Sequence, residues 1–220
     1  MLSDDELEIL FARLRRRDPL EISEGVEVAS VGERDLNPGF MRRRAGVRSR
    51  PASVLVPLID RPDELTVLLT QRTDHLPDHA GQVSFPGGSR EAHDSDEIDT
   101  ALRETEEEVG IARQHVDVIG AMDLYQTSSG FDITPVVGVV RPDFQLDVDA
   151  HEVADVFEVP LTFFLDPSNH ATESRRFGLH RFHYYAMPYN GYFIWGATAA
   201  MLVNLSRVLT AFARSEPGRS

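Results

Sequence analysis

Apolar positions recur at two different periods along this chain. Leu7, Leu10, Phe11 and Leu14 follow helical steps among charged neighbours, so residues 3 to about 17 predict an amphipathic helix. Residues 18 to 40 are irregular and rich in Gly, Pro and acidic groups. Ala52 to Asp60 and Leu65 to Gln71 are apolar and β-branched, with Arg61, Pro62 and Asp63 between them, which predicts a hairpin. Val83 to Phe85 reads as a short strand that Pro86-Gly87-Gly88 ends. The clearest helix is Ser95 to Val109. Asp94 and Glu97 are spaced as its capping box and Gly110 as its stop. Strand patterns follow at Val116–Met122, Thr134–Val140 and Val153–Val159. Pro160 opens a short helical piece through Leu165, and a last helix runs from about Gly196 to Arg214. Strand groups interrupted by helices predict an α+β or layered α/β/α domain.

Composition narrows the function. The 220 residues are enough for one well-covered domain, and 41% hydrophobic with 26% charged residues is ordinary for a globular protein. A net charge of −14 argues against a nucleic-acid binder. An anionic substrate would need local cations, either metal or arginine, to overcome that field. Without cysteine there is no disulfide framework, no thiolate nucleophile and no Cys-ligated zinc. The acidic start MLSDDELEIL does not read as a secretory signal, and the expectation is a cytoplasmic protein. The apolar stretch Phe193 to Val203 is short and carries Gly196 and Thr198, so it suits a buried helix rather than a membrane span.

The chemistry concentrates at Arg103-Glu104-Thr105-Glu106-Glu107-Glu108-Val109-Gly110-Ile111. On a helix, Glu104, Glu107 and Glu108 share one face while Glu106 points elsewhere. Each like-charged pair costs roughly 0.2–0.5 kcal/mol on an exposed helix. A cation among them reverses that sign, and an all-oxygen set suits Mg²⁺ or Mn²⁺. Taken alone, such a cluster is more often a solvated acidic face. Its context differs, because Phe85-Pro86-Gly87-Gly88 stands just upstream and paired glycines let backbone come close to a ligand.

With those residues in place, the chain resembles the Nudix hydrolase superfamily, whose signature is G-x5-E-x7-R-E-U-x-E-E-x-G-U. Gly88 is followed by five residues and Asp94, then by eight residues and Arg103 to Ile111. Asp94 replaces the first Glu, Thr105 replaces the apolar residue, and the spacer is one residue longer. A second stretch is similar to the longer motif of the coenzyme A pyrophosphatase branch. It comprises Leu68-Leu69-Thr70-Gln71-Arg72, Gly81 and Phe85-Pro86-Gly87-Gly88, with Thr73 at a Ser/Ala position and Pro77 at an Arg position. Pro188-Tyr189 and the Ile194 to Ala199 segment also look like this branch. The likeness covers most of residues 50 to 205.

The resemblance implies a Nudix-like α/β/α sandwich around a mixed sheet. It implies residues 1–40 as an N-terminal extension, 41–214 as the hydrolase domain and 215–220 as a tail. The implied reaction is cleavage of coenzyme A or a derivative to 3′,5′-ADP and 4′-phosphopantetheine. Alternatives are another nucleoside diphosphate derivative, such as ADP-ribose or NADH, and a Nudix module that binds without cutting. The implied metal ligands are Glu104, Glu107, Glu108 and the Gly88 carbonyl. Arg103 would orient Glu104 or Glu107, and Arg72, Phe85, Gly87 and Gly88 would meet the substrate. Glu152 is an extra acidic residue for the base or metal, weighed against a solvated loop carboxylate. The basic run Arg42, Arg43, Arg44, Arg48 and Arg50 is either a substrate attractor or a solvated segment. Tyr189 and Trp195 are either base-stacking or core residues. His151-Glu152-Val153-Ala154-Asp155 lacks the last His of a zinc-protease motif, and the histidines form no ligand-like cluster in sequence. The expected partner is a small coenzyme A-like dinucleotide, with no nucleic acid and no membrane; a homodimer is compatible with the sequence.

Overall fold

The structure is a computed structural model that describes residues 2–21, 32–37, 39, 48–76, 79–177 and 180–215. Helix α1 (Asp4–Arg15) starts at Ser3 through a reciprocal capping box with Glu6, which satisfies two backbone donors. Within the segment expected to be irregular, a four-residue helix α2 (Glu33–Leu36) forms. Strands β1 (Arg50–Asp60) and β2 (Leu65–Arg72) make the expected hairpin. Then follow β3 (Val83–Ser84), β4 (Gly87–Ser89), α3 (Glu97–Val109), β5 (Val116–Ala121), β6 (Tyr125–Gln126), β7 (Phe131–Val140) and β8 (Val153–Pro160). The chain continues with α4 (Leu161–Leu165), β9 (Ala171–Phe177), β10 (His180–Tyr189), β11 (Tyr192–Trp195) and α5 (Gly196–Arg214).

An eight-stranded mixed sheet runs β3-β2-β1-β7-β5, with β4 on β1, β6 on β7 and β8 on β2. Among the described residues, only β1 and β7 pair in parallel, from Arg50 opposite Phe131 to Ile59 opposite Val140. These two strands carry apolar residues on both faces because both faces are covered. On one face Val56, Leu58, Val67, Leu69, Val137 and Val139 meet α1, α4 and α5. On the other, Leu55, Ile59, Leu68, Val136 and Val140 meet Ala101 and Val109 of α3. The result is an α/β/α layering of α+β class. Helix α5, whose length and apolar composition would allow a membrane span, is a core helix here, with Leu202, Leu205, Leu209 and Phe212 buried. Leu10 and Leu14 of α1 are fully buried in the same cluster.

Sequence periodicity missed the second sheet, the antiparallel β9-β10-β11. Its strands are rich in Arg, His and Tyr, so no clean apolar alternation marks them. Asn37 edges this sheet by bonding both backbone groups of His183, at 2.8 and 2.7 Å.

Candidate active site

The glycine corner is built by strand divergence. β1 pairs with β2 only from Leu58 to Asp60, and β3 and β4 fill the wedge that opens beyond. Thr70 lies opposite Ser84 on one side, and Ser53 opposite Gly88 on the other. Leu55 N–H donates to the Pro86 carbonyl at 2.9 Å, and Phe85 is buried in the core. Pro86-Gly87-Gly88, expected to end a strand, instead turns the chain into a new one, β4. Here missing side chains matter. A Cβ on Gly87 would stand 2.5 Å from the Ser53 carbonyl oxygen and Val54 Cα, and one on Gly88 would stand 2.6 Å from the Glu104 carboxylate.

Helix α3 begins two residues later than expected. Asp96 is the N-cap and accepts from Asp99 N–H at 2.8 Å, while Gly110 closes the helix at φ 73° as expected. Asp94, freed from capping, is a buried anchor. Its carboxylate receives Arg103 Nε at 2.8 Å and Nη2 at 2.9 Å, Thr100 Oγ1 at 3.0 Å and Glu91 N–H at 2.8 Å. The Arg103 fork holds this carboxyl well below the usual carboxylate range, and Asp94 in turn raises the Arg103 guanidinium. Held this way, Arg103 Nη1 reaches Glu107 Oε2 at 2.9 Å and Glu104 Oε1 at 3.0 Å. An acidic residue nine positions before Arg103 was the signal for this lock, and capping was the wrong reading of it.

Glu108 faces inward, with a side chain only 6% exposed, and accepts Gly87 N–H at 3.2 Å. Burial pushes its carboxyl up to about 8, against the pull of Gly87 and Arg72, and Glu104 and Glu152 add to the rise. Burial also raises Glu104, opposed by Arg103. Glu107 is 60% exposed and held by Arg103. Glu106 points away, receiving Arg113 Nε at 3.1 Å and Arg113 N–H at 2.8 Å.

A distant loop completes the site. Asp149 N–H donates to the Glu108 carbonyl at 3.0 Å and Asp147 N–H to the Val109 carbonyl at 3.1 Å, docking this loop on the C-terminal end of α3. Glu152 follows it. Thr73 clamps it from β2, with N–H to the Glu152 carbonyl at 3.0 Å and Oγ1 to the His151 carbonyl at 2.9 Å. The sequence placed Thr73 at a Ser/Ala position of the branch motif and gave it no role as a clamp. A register shift between Gln71 and Arg72 in the β2–β8 pairing marks the point where Arg72 enters the site. Its Nη1 stands 3.7 Å from Glu108 and its Nη2 3.9 Å from Glu152, and its Nε is buried without a hydrogen-bond partner.

The structure therefore brings Glu104, Glu108, Glu152, Arg72, Arg103, Gly87 and Gly88 together, with Glu107 at the rim. Their chemistry fits a hard divalent cation. The donors are oxygen, two carboxyls are raised by burial among like charges, and two buried polar atoms, Arg72 Nε and Ser53 Oγ, lack partners nearby. Among the described residues, no three acidic or imidazole groups are closed to the spacing of a metal shell. Arg103 holds Glu104 and Glu107, and the Gly87 amide holds Glu108.

Other candidates lie elsewhere. Arg42, Arg43, Arg44 and Pro77 fall outside the described residues. Arg48 is exposed, and Arg50 stacks 3.9 Å over the Phe131 ring. Tyr189 sits edge-on to Phe163, and half-buried Trp195 edge-on to Tyr184. His75 and His151, distant in sequence, meet at 3.3 Å beside Glu152.

Comparison with known proteins shows the family of this chain. The family model described as NUDIX domain matches residues 49–183. A Yersinia enterocolitica protein described as "Uncharacterized Nudix hydrolase NudL" is 44% identical over 159 residues, covering 72% of this chain and 81% of the relative. A Yersinia pestis protein of the same description is 45% identical over 161 residues, covering 72% and 79%. A solved Caenorhabditis elegans Ap4A hydrolase binary complex aligns with TM-score 0.44 and 19% identity, over 50% of this chain and 80% of that one. The chain belongs to the Nudix family. Within it, the protein is a hydrolase, of the kind that splits the diphosphate of nucleoside diphosphate derivatives with divalent metal.

Proposed function

We propose that this hydrolase cleaves coenzyme A or a derivative to 3′,5′-ADP and 4′-phosphopantetheine (or its acyl form), using Mg²⁺ or Mn²⁺ and residues 41–214 as its hydrolase domain. One observation carries the reading. The Leu68-Leu69-Thr70-Gln71-Arg72 and Phe85-Pro86-Gly87-Gly88 segments, on which the branch resemblance rests, converge on the acidic face of α3, with Arg72 beside Glu108 and Gly88 against Glu104. In this reading Glu104, Glu107, Glu108 and the Gly88 carbonyl hold the cation, which supplies positive charge against the diphosphate oxygens. Arg72 provides a forked donor for a phosphate. Gly87 and Gly88 let the substrate approach backbone. Arg103, fixed by Asp94, sets the direction of Glu104 and Glu107. Glu152 takes the proton from attacking water, and its clamped loop keeps it in place.

A second reading keeps the chemistry and changes the substrate to ADP-ribose or NADH. Pro77 favours it, standing where the coenzyme A motif carries an Arg and so removing one phosphate or nucleotide contact. The test is a comparison of kcat/KM for coenzyme A, ADP-ribose and NADH with Mg²⁺ and with Mn²⁺, with products analysed after reaction in ¹⁸O-water. Coenzyme A should be preferred, and Glu107→Gln should lower its turnover. A clear preference for NADH overturns the coenzyme A assignment.

A further inference from the structure

Arg72 is positioned unusually for a side chain with so much hydrogen-bonding capacity. A guanidinium has five donors in a fixed fork and normally meets carboxylates at about 2.7–2.9 Å. Here it stands between two carboxylates on different elements, Glu108 of α3 and Glu152 at the end of the docked loop, at 3.7 and 3.9 Å. Both contacts are too long for hydrogen bonds, and Nε is buried with no partner. The register shift in the β2–β8 pairing falls at this residue, where Gln71 faces Asp155 and Arg72 faces Val153. Glu108 is buried and Glu152 is half-exposed, and Arg72 is the cation that stands between them.

We propose that Arg72 is a resident counter-cation between Glu108 and Glu152 that shares Glu108 with the divalent metal, so that metal uptake frees its guanidinium to grip the substrate's diphosphate. The inference rests on the metal-dependent reading above and adds a coupling to it. Two cations a few ångströms apart repel, and the dication gains more from a carboxylate than a loosely held guanidinium does. Metal entry at Glu108 therefore weakens both Arg72 contacts. The released fork, with unused donors, is drawn to the nearest strong acceptor, a diphosphate. By reciprocity, a diphosphate that captures Arg72 strengthens metal binding. Metal and substrate then bind cooperatively, and Arg72 opposes the metal only while substrate is absent.

This gives Arg72 an effect of opposite sign to that of an ordinary structural arginine. Mn²⁺ alone is titrated calorimetrically into the full-length wild type, Arg72→Met and Arg72→Lys at constant ionic strength, with thermal unfolding run beside each. Arg72→Met should bind Mn²⁺ on the order of tenfold more tightly than wild type, from loss of one neighbouring positive charge. Arg72→Lys should stay near wild type. Methylenediphosphonate should tighten Mn²⁺ binding to wild type and do so far less for Arg72→Met. In ¹⁵N-labelled wild type, which requires no variant to fold, the Arg72 Nε–H resonance should shift on adding Mg²⁺. A folded Arg72→Met protein with equal or weaker Mn²⁺ affinity overturns the coupling, as does an Arg72 resonance indifferent to Mg²⁺. Absence of Mn²⁺ uptake by wild type instead overturns the metal-dependent reading itself.

Discussion

Asp94 and Arg103 meet as a two-point lock, Nε to Oδ1 at 2.8 Å and Nη2 to Oδ2 at 2.9 Å, and the same guanidinium carries Glu104 and Glu107 on its remaining arm. The direction of two acidic side chains thus depends on a residue outside the helix. Asp94→Asn should leave Arg103 under-compensated. Its melting temperature and its Mn²⁺ affinity should both fall, measured by thermal unfolding and calorimetry. Asp94→Glu, which keeps the charge, should lose less of each.

Neighbouring glycines should respond differently to the same methyl group. Gly88→Ala would press Cβ against the Glu104 carboxylate, the end of a side chain that can shift, so the fold should survive. A displacement of about 1 Å at a reacting centre costs about 100-fold, so kcat/KM should drop on that scale. Gly87→Ala would meet the Ser53 carbonyl and Val54 Cα, which cannot move aside, at φ +154°. It should lower soluble yield and melting temperature before any kinetic effect is read.

Metal-free protein should lose stability as pH rises. The Glu108 carboxyl is raised from 4.5 to about 8 in the fold, so folded protein binds more protons than unfolded chain between those values. A raised carboxyl contributes stability when protonated, and that contribution drains away as pH climbs from 4.5 towards about 8. Chelator-treated wild type should therefore melt lower at pH 8 than at pH 6, and Glu108→Gln should flatten that slope. A slope unchanged in Glu108→Gln would show that another group carries it.

Gly110→Ala tests the loop dock. Gly110 adopts φ +73°, and a Cβ there would stand 2.6 Å from the Asp147 amide nitrogen. The left-handed conformation alone costs roughly 1 kcal/mol for a side chain. Displacing Asp147 should also loosen the Asp149 to Glu108 link and so Glu152. Turnover should fall more than thermal stability, with faster amide exchange at residues 147–152.

Helix α1 should behave as core rather than as appendage. Leu14→Ala removes a fully buried side chain lodged with α5, and such truncations cost about 2–5 kcal/mol. Denaturant unfolding should show a loss in that range. A loss near zero would mean that the extension is dispensable to the fold.

The sequence by itself determined the elements whose own period suffices. The first hairpin, α3 with its stop at Gly110, and α5 follow from apolar spacing and from glycine at a left-handed position. It also determined which residues are acidic on one helical face, because α-helical geometry fixes that spacing locally. It misassigned Asp94 as a cap and Pro86-Gly87-Gly88 as an ending, since both depend on contacts made at a distance, with Arg103 and with β1. The β9-β10-β11 sheet was illegible because its polar strands carry no periodic signature. Only the tertiary structure decided that Glu152 and Arg72 join Glu108. That meeting depends on β2, the end of α3 and the loop through residue 152 being closed by backbone hydrogen bonds, which no local pattern of side chains encodes.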